Sequence, residues 1–181
     1  MKWIALFSQT GSEILQISKK RERFPDKVIT NSQDWDKISP ELLKLTTIDY
    51  VDKVPTVDQY LDFLPEDALI TLHGWLRIIP GEVCENRNII NGHPGLITLH
   101  PELKGKDPQE KAFNLKHETG GCVIHKAIAE VDAGSIVSEG VIPLTDLTLD
   151  EVYSNLHDLS VDLWVDYLNN GERPHLNVKV D

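Results

Sequence analysis

The chain opens on an apolar run, Trp3–Ser8 (WIALFS), which stops at Gln9-Thr10-Gly11-Ser12 and gives way to a helical stretch with Ile14, Leu15 and Ile17 as its apolar positions. Strand, glycine-containing turn and helix in that order is how a parallel α/β sheet begins. Lys27–Thr30 (KVIT) reads as a second, weaker strand. Pro40–Leu45 and Val57–Leu64 read as short helices, with Asp36–Ser39 supplying a cap. Ala68–His73 (ALITLH) is a buried strand that runs into Gly74–Pro80, where proline ends any regular element. Asn88–Asn91 (NIIN) is another short strand, closed by the turn Gly92-His93-Pro94-Gly95.

Further along, Pro108–Lys116 reads as a helix and Cys122–Val131 as a strand with Val123, His125, Ala127 and Ala129 on one face. Asp132-Ala133-Gly134 turns the chain, and Ser135–Leu144 returns, which predicts an antiparallel hairpin near residues 121–144. Thr148-Leu149-Asp150-Glu151 is a capping box. Leu149, Val152, Leu156, Leu159 and Leu163 then mark the clearest amphipathic helix, ended by Asn169-Asn170-Gly171. The last ten residues read as an exposed tail or a small edge strand. This order predicts an α/β fold: a single open, mostly parallel twisted sheet with helices on both faces, in one domain over residues 1–181.

Charge narrows the partners. Lys and Arg number 18 against 29 Asp and Glu, for a net charge of −11. Such a chain gains little from releasing counterions, which argues against a general nucleic-acid binder but not against a nucleotide or a partner at the basic patch Lys19, Lys20, Arg21 and Arg23. No stretch approaches the roughly 20 apolar residues of a membrane helix, and the N-terminal segment lacks the apolar core of a signal peptide. Cys84 and Cys122 form no CxxC pair, and a cytoplasmic, reduced protein is expected. The seven histidines show no HExxH or comparable ligand spacing, so no metal is expected. Nothing in the pattern specifies an oligomeric state.

Chemistry concentrates in NIINGHPG. Asn91 and His93 are two positions apart in extended chain, so both side chains can face one crevice. The carboxyl ends of strands in open α/β sheets are where ligands bind. An amide N–H suits a developing oxyanion, and an imidazole holds or passes a proton near neutral pH. Asp132, at the hairpin turn, is the candidate third group to orient the imidazole. Taken alone, an Asn-x-His at a turn is usually an ordinary surface turn. An aspartate before Ala-Gly is usually a turn residue, and a histidine inside a strand, such as His125, is usually a satisfied core residue.

In combination these segments resemble the folate-dependent formyltransferases. The hallmark Asn-x-His-Pro-Ser-Leu of that family is matched by Asn91-Gly92-His93-Pro94-Gly95-Leu96. Gly120–Leu144 looks like its strand carrying a histidine, Asp-x-Gly turn and returning strand. Gly74–Ile79 looks like its folate-pocket segment, and the opening IALFSQTGS like its first strand and substrate-side loop. The resemblance implies a Rossmann-type catalytic domain, 10-formyltetrahydrofolate as co-substrate and no metal. It implies formyl transfer to a small amine, with an amino sugar or a nucleotide-linked amine among the acceptors. Hydrolysis of the same folate, or a non-catalytic folate- or nucleotide-binding module, are the competing functions. By the same resemblance Asn91 would donate to the formyl oxygen, His93 would handle the proton, Asp132 would orient His93, and His125 would support that network. Arg77, Ile78 and Ile79 would contact the pterin, and Ala129, Glu130 and Val131 would close over it. Gln9, Thr10, Gly11, Ser12 and Glu13 would line the substrate side.

Several positions depart from the family pattern. Glu13 stands where the glycinamide ribonucleotide enzymes place an Asn beside the substrate phosphate, and a carboxylate there is unfavourable to an anion. Their acidic residue on the last helix falls near His157 in this chain. Gly95 replaces the usual Ser, and Ile97–Lys106 lacks the Pro-Lys-Tyr/Phe-Arg-Gly run of the tRNA and sugar enzymes. A tRNA-binding C-terminal domain and the N-terminal regulatory domain of the hydrolases are not expected. Glu13 and the acidic balance of the chain point to a cationic or uncharged acceptor.

Overall fold

The computed structural model describes residues 1–171 together with Val178 and Lys179. It forms two compact units. One comprises Met1–Asn91 with Lys126–Glu130; the other comprises Gly92–His125 and the described residues from Val131 onward.

The first unit is a parallel α/β layer. Its strands are β1 (Lys2–Phe7), β2 (Lys27–Thr30), β3 (Ile48–Tyr50), β4 (Ala68–Leu72) and the first part of β5 (Asn88–His93). They lie in the order β3-β2-β1-β4-β5, every pair parallel. Helices α1 (Ser12–Arg21), α2 (Pro40–Leu45), α3 (Val57–Phe63) and α4 (Gly81–Asn86) connect them. Ile4, Leu6, Ile29 and Ile70 form a buried cluster with Tyr60 of α3 and Val83 of α4. The alternate residues Trp3, Ala5, Phe7 and Val28 are buried as well. Burial of both faces is why the strands read as continuous apolar runs rather than as alternating ones.

The second unit holds α5 (Pro108–Asn114), β6 (Thr119–Lys126), β7 (Ile136–Pro143), α6 (Leu149–Asn170) and β8 (Val178–Lys179). β6 and β7 pair antiparallel from Thr119↔Pro143 to His125↔Ile136, which is the hairpin expected. The box at α6 is complete: the Thr148 side chain accepts from the Glu151 N–H, and the Glu151 carboxylate accepts from the Thr148 N–H. Leu156, Leu159 and Leu163 are buried, and Leu159 packs onto Gly140 of β7.

The structure departs from the sequence reading in a few places. β6 stops at Lys126, five residues before the expected end at Val131. The ladder shifts register between Ile124 and His125, and Ile128 and Val131 are 46% and 44% exposed, so Ala127 and Ala129 belong to a loop rather than to a strand face. β5 runs on to His93. β3 and α4 were not foreseen, being too short to show a period. Of the last ten residues, Val178–Lys179 pair parallel with β7, and the rest lie outside the described residues. Among the described residues, no helix is long and apolar enough to cross a membrane.

Candidate active site

Three of the residues singled out from sequence meet in the second unit. The Nδ1 of His93 lies 3.4 Å from Oδ2 of Asp132, and the Oδ1 of Asp132 lies 3.2 Å from Nε2 of His125. Two main-chain groups complete the cluster. The Nε2 of His93 is 2.8 Å from the carbonyl oxygen of Leu103, and the N–H of Gly105 donates to Oδ2 of Asp132 at 2.9 Å. His93, His125 and Asp132 are 6%, 2% and 8% exposed, so the cluster is shielded from solvent.

Burial pushes the His93 imidazole below its ordinary range, because the charged ring would lose its hydration. The Asp132 carboxylate and the Leu103 carbonyl oppose that shift and do not overcome it. For Asp132 burial pushes upward, but the His125 hydrogen bond, the nearby His93 and the Gly105 N–H together hold the carboxyl below its usual range. The resting pair is therefore a neutral imidazole beside an ionised carboxylate. A neutral ring carries one N–H. The 2.8 Å contact to a carbonyl places it on Nε2, which leaves the Nδ1 lone pair turned toward Asp132 at a separation too long for a good hydrogen bond.

Local sequence explains the placement. A Cβ at Gly95 would sit 2.9 Å from His93 Nε2 and 2.8 Å from Pro108 Cβ, so the ring occupies space that any side chain there would fill. A Cβ at Gly92 would lie 2.7 Å from the indole nitrogen of Trp164, which packs closely onto that glycine. Asp132 has a φ of 53°, in the left-handed region that aspartate tolerates better than most residues.

Asn91 belongs to the first unit. It is half-buried, pairs in register with Leu72 at the carboxyl end of β4, and precedes His93 by two positions on β5.

The other expected site residues of the first unit fall in two groups. In the first turn, Gln9 and Thr10 are exposed and Gly11 is buried with a φ of 73°. Thr10 accepts from the Ser12 N–H at 3.2 Å. Glu13 Oε1 meets His73 Nδ1 at 2.7 Å, and His73 Nε2 lies 2.8 Å from Thr71 Oγ1, which accepts from the Trp3 indole N–H at 2.8 Å. Sequence reading missed this chain of contacts, because its members are scattered over three elements. In the Gly74–Pro80 segment, the Arg77 Nε donates to the Lys53 carbonyl at 3.0 Å, Ile78 is 70% exposed, and Ile79 is buried in the core cluster against which Ala127 packs. Ala129 and Glu130 are exposed in this unit, and Val131 is exposed in the other. A groove of about 830 Å³ in the first unit, lined by Trp35, Tyr50, Lys53 and Phe63 among others, contains none of the expected site residues.

The grips on His93 and Asp132 from Leu103 and Gly105 were also missed. They are made by backbone atoms, which leave no residue-type signature.

Comparison with known proteins gives the family and the fold. Residues 19–168 match the family described as formyl transferase. The chain is 38% identical over 105 residues to a phosphoribosylglycinamide formyltransferase of Dictyostelium discoideum, an alignment that covers 49% of this chain and 48% of that one. It is 29% identical over 92 residues to the human trifunctional purine biosynthetic protein adenosine-3, covering 48% of this chain and 9% of the relative. The chain thus spans about half of one relative and a small part of the other. Among solved structures, a phosphoribosylglycinamide formyltransferase of Campylobacter jejuni superposes with a TM-score of 0.81 at 20% identity, over 93% of this chain and 96% of that one.

Proposed function

Because this chain belongs to the formyl transferase family, we propose that it moves a formyl group from 10-formyltetrahydrofolate to the amine of a small acceptor, with residues 1–181 acting as one catalytic domain. The observation that carries the reading is the buried His93–Asp132–His125 cluster, which falls inside the family match and sets a His93 imidazole whose pKa is lowered by burial beside the Asp132 carboxylate.

The acceptor nitrogen attacks the formyl carbon, a C–N bond forms and the formyl oxygen takes the negative charge. The Asn91 amide donates to that oxygen, an interaction worth about 3–4 kcal/mol where oxyanion donors have been removed. The attacking nitrogen becomes cationic and gives up a proton, relayed by water beside Asp132, to the unprotonated Nδ1 of His93. Nε2–H stays on the Leu103 carbonyl, so the ring becomes an imidazolium with both nitrogens facing acceptors, Leu103 and Asp132. Asp132 answers the new charge, and His125 and the Gly105 N–H keep its carboxylate ionised and aimed. Collapse of the intermediate breaks the bond to the folate nitrogen, which takes the proton and leaves. Arg77, Ile78, Ile79, Ala129, Glu130 and Val131 hold the pterin. The 62% and 70% exposed Leu76 and Ile78 supply apolar surface that a flat ring would cover.

The Dictyostelium relative is named for phosphoribosylglycinamide, which makes that amine the first to assay. Glu13 argues for a different acceptor, cationic or uncharged where it meets the first turn, because its carboxylate disfavours a phosphate there. The test is tetrahydrofolate release from 10-formyltetrahydrofolate with a panel of amines that includes phosphoribosylglycinamide and amino sugars. Asn91→Ala and His93→Ala are each expected to lower turnover by at least ~100-fold with unchanged circular dichroism. Wild-type rates in both variants would overturn the roles assigned to Asn91 and His93. Release of formate without any amine would replace transfer by hydrolysis.

A further inference from the structure

We propose that His100, Glu102 and His117 form a binding site for a divalent transition-metal ion, separate from the His93–Asp132 cluster. The three residues lie in the second unit and come from two places in the chain. His100 and Glu102 flank Pro101 at the start of a 3₁₀ turn, Pro101–Leu103, whose proline stiffens the His-Pro-Glu spacing. His117 follows α5, where the chain reverses with Lys116 at a φ of 55° and the His117 N–H donates to the Ala112 carbonyl at 3.1 Å.

One carboxylate oxygen serves both rings. Glu102 Oε1 is 3.5 Å from His100 Nδ1 and 3.4 Å from His117 Nε2, and the three donor atoms all lie within 4.8 Å of one another. These separations are long for N–H···O hydrogen bonds, which cluster at about 2.7–3.2 Å. They match the edge of a tetrahedron around zinc, about 3.3–3.4 Å for metal–ligand bonds of about 2.0–2.1 Å. Two imidazoles and a carboxylate are a ligand set that zinc and its neighbours accept while keeping an open position for water.

The rings now stack at 3.8 Å between centroids with 20° between planes, so each must turn to aim its lone pair at a shared ion. Glu102 is half-exposed and His100 partly so, which leaves room for the turn and for the water. His117 also lines a cavity of about 450 Å³, with Glu118 and Asp146 on its wall, through which a cation could approach. The Nδ1 of His117 is buried without a hydrogen-bond partner among the described residues, so nothing holds that ring from behind. A site lacking that support binds about 10–100-fold more weakly than one that has it.

Local spacing hid the site: His100, Glu102 and His117 match no HExxH-type or paired Cys/His motif. The test is calorimetric titration of the untagged, chelator-stripped chain with zinc chloride, with cobalt(II) absorption as a second readout. We expect one ion per chain, visible cobalt bands of reduced symmetry, and a rise in melting temperature with zinc. His100→Ala and Glu102→Gln, both at accessible positions, should weaken binding by at least ~10-fold and abolish the melting shift. His117→Gln should do the same if circular dichroism shows it folded. Absence of stoichiometric uptake, or uptake of equal affinity in His100→Ala and Glu102→Gln, would overturn the proposal. No folate or amine enters this measurement, so its outcome is independent of the formyl-transfer reading.

Discussion

His93 shows how far a single position could be read. Its type and its place before proline mark it as the proton-handling residue, with Asp132 as its partner from a turn thirty-nine residues away. The ring's electronic state was not legible. It depends on burial to 6% exposure and on the Leu103 carbonyl, neither of which is written at position 93. Since burial lowers the imidazole and only the neutral ring can accept a proton, kcat/KM should fall on the acid side through a pKa below the usual value of about 6.5. Asp132→Asn removes the group that opposes this shift, so that limb should move to lower pH still while the maximum rate drops. A pH–rate profile of the two proteins checks both signs, and an acid limb above about 6.5 in the wild type would contradict the assignment.

At the level of elements, β5 and α6 were both read, β5 from a short NIIN run closed by a glycine–proline turn and α6 from a 3.6-residue repeat with a capping box. What could not be read was their contact. Trp164 of α6 lies against Gly92, the residue that separates Asn91 from His93, and glycine is there for closeness of approach. Gly92→Ala would force the indole or the strand to move by a few tenths of an ångström or more. The expected cost is about 1–3 kcal/mol, measured by denaturant unfolding, together with a loss of turnover larger than the loss of stability would give. A neutral effect on both would mean that the helix yields freely. The loop after β6 was misread for a similar reason. Ala127-Ile128-Ala129 has the composition of a strand, but the register shift at Ile124/His125 ends the ladder, and composition does not encode a shift.

For the whole molecule, the order of strands and helices was legible, while the division into two compact units was not. The family match from residue 19 to 168 runs through both. Two coupled groups make acid stability a property of the entire fold. His93 has a folded pKa below its unfolded value, so its contribution is full above about 6.5 and is lost as pH falls toward the folded value. Asp132 is also depressed, so its contribution is present above about 3.9 and is lost as pH falls through the folded value. Both act in one direction. The denaturant midpoint should decline below about pH 6.5 and decline further below about 3.9. The background titration of the other carboxylates is removed by comparison with His93→Gln, which should lack the first decline. An identical curve in that variant would show that the imidazole is not a neutral group in the fold.

The Leu103 carbonyl and the Gly105 amide fasten the proton-handling pair with atoms that every non-proline residue possesses. Lineages could therefore exchange the letter at position 103 among apolar residues and keep the same fastening. Two descendants can look unrelated across this stretch and still share a working centre, since what is inherited there is the path of the chain and not its spelling.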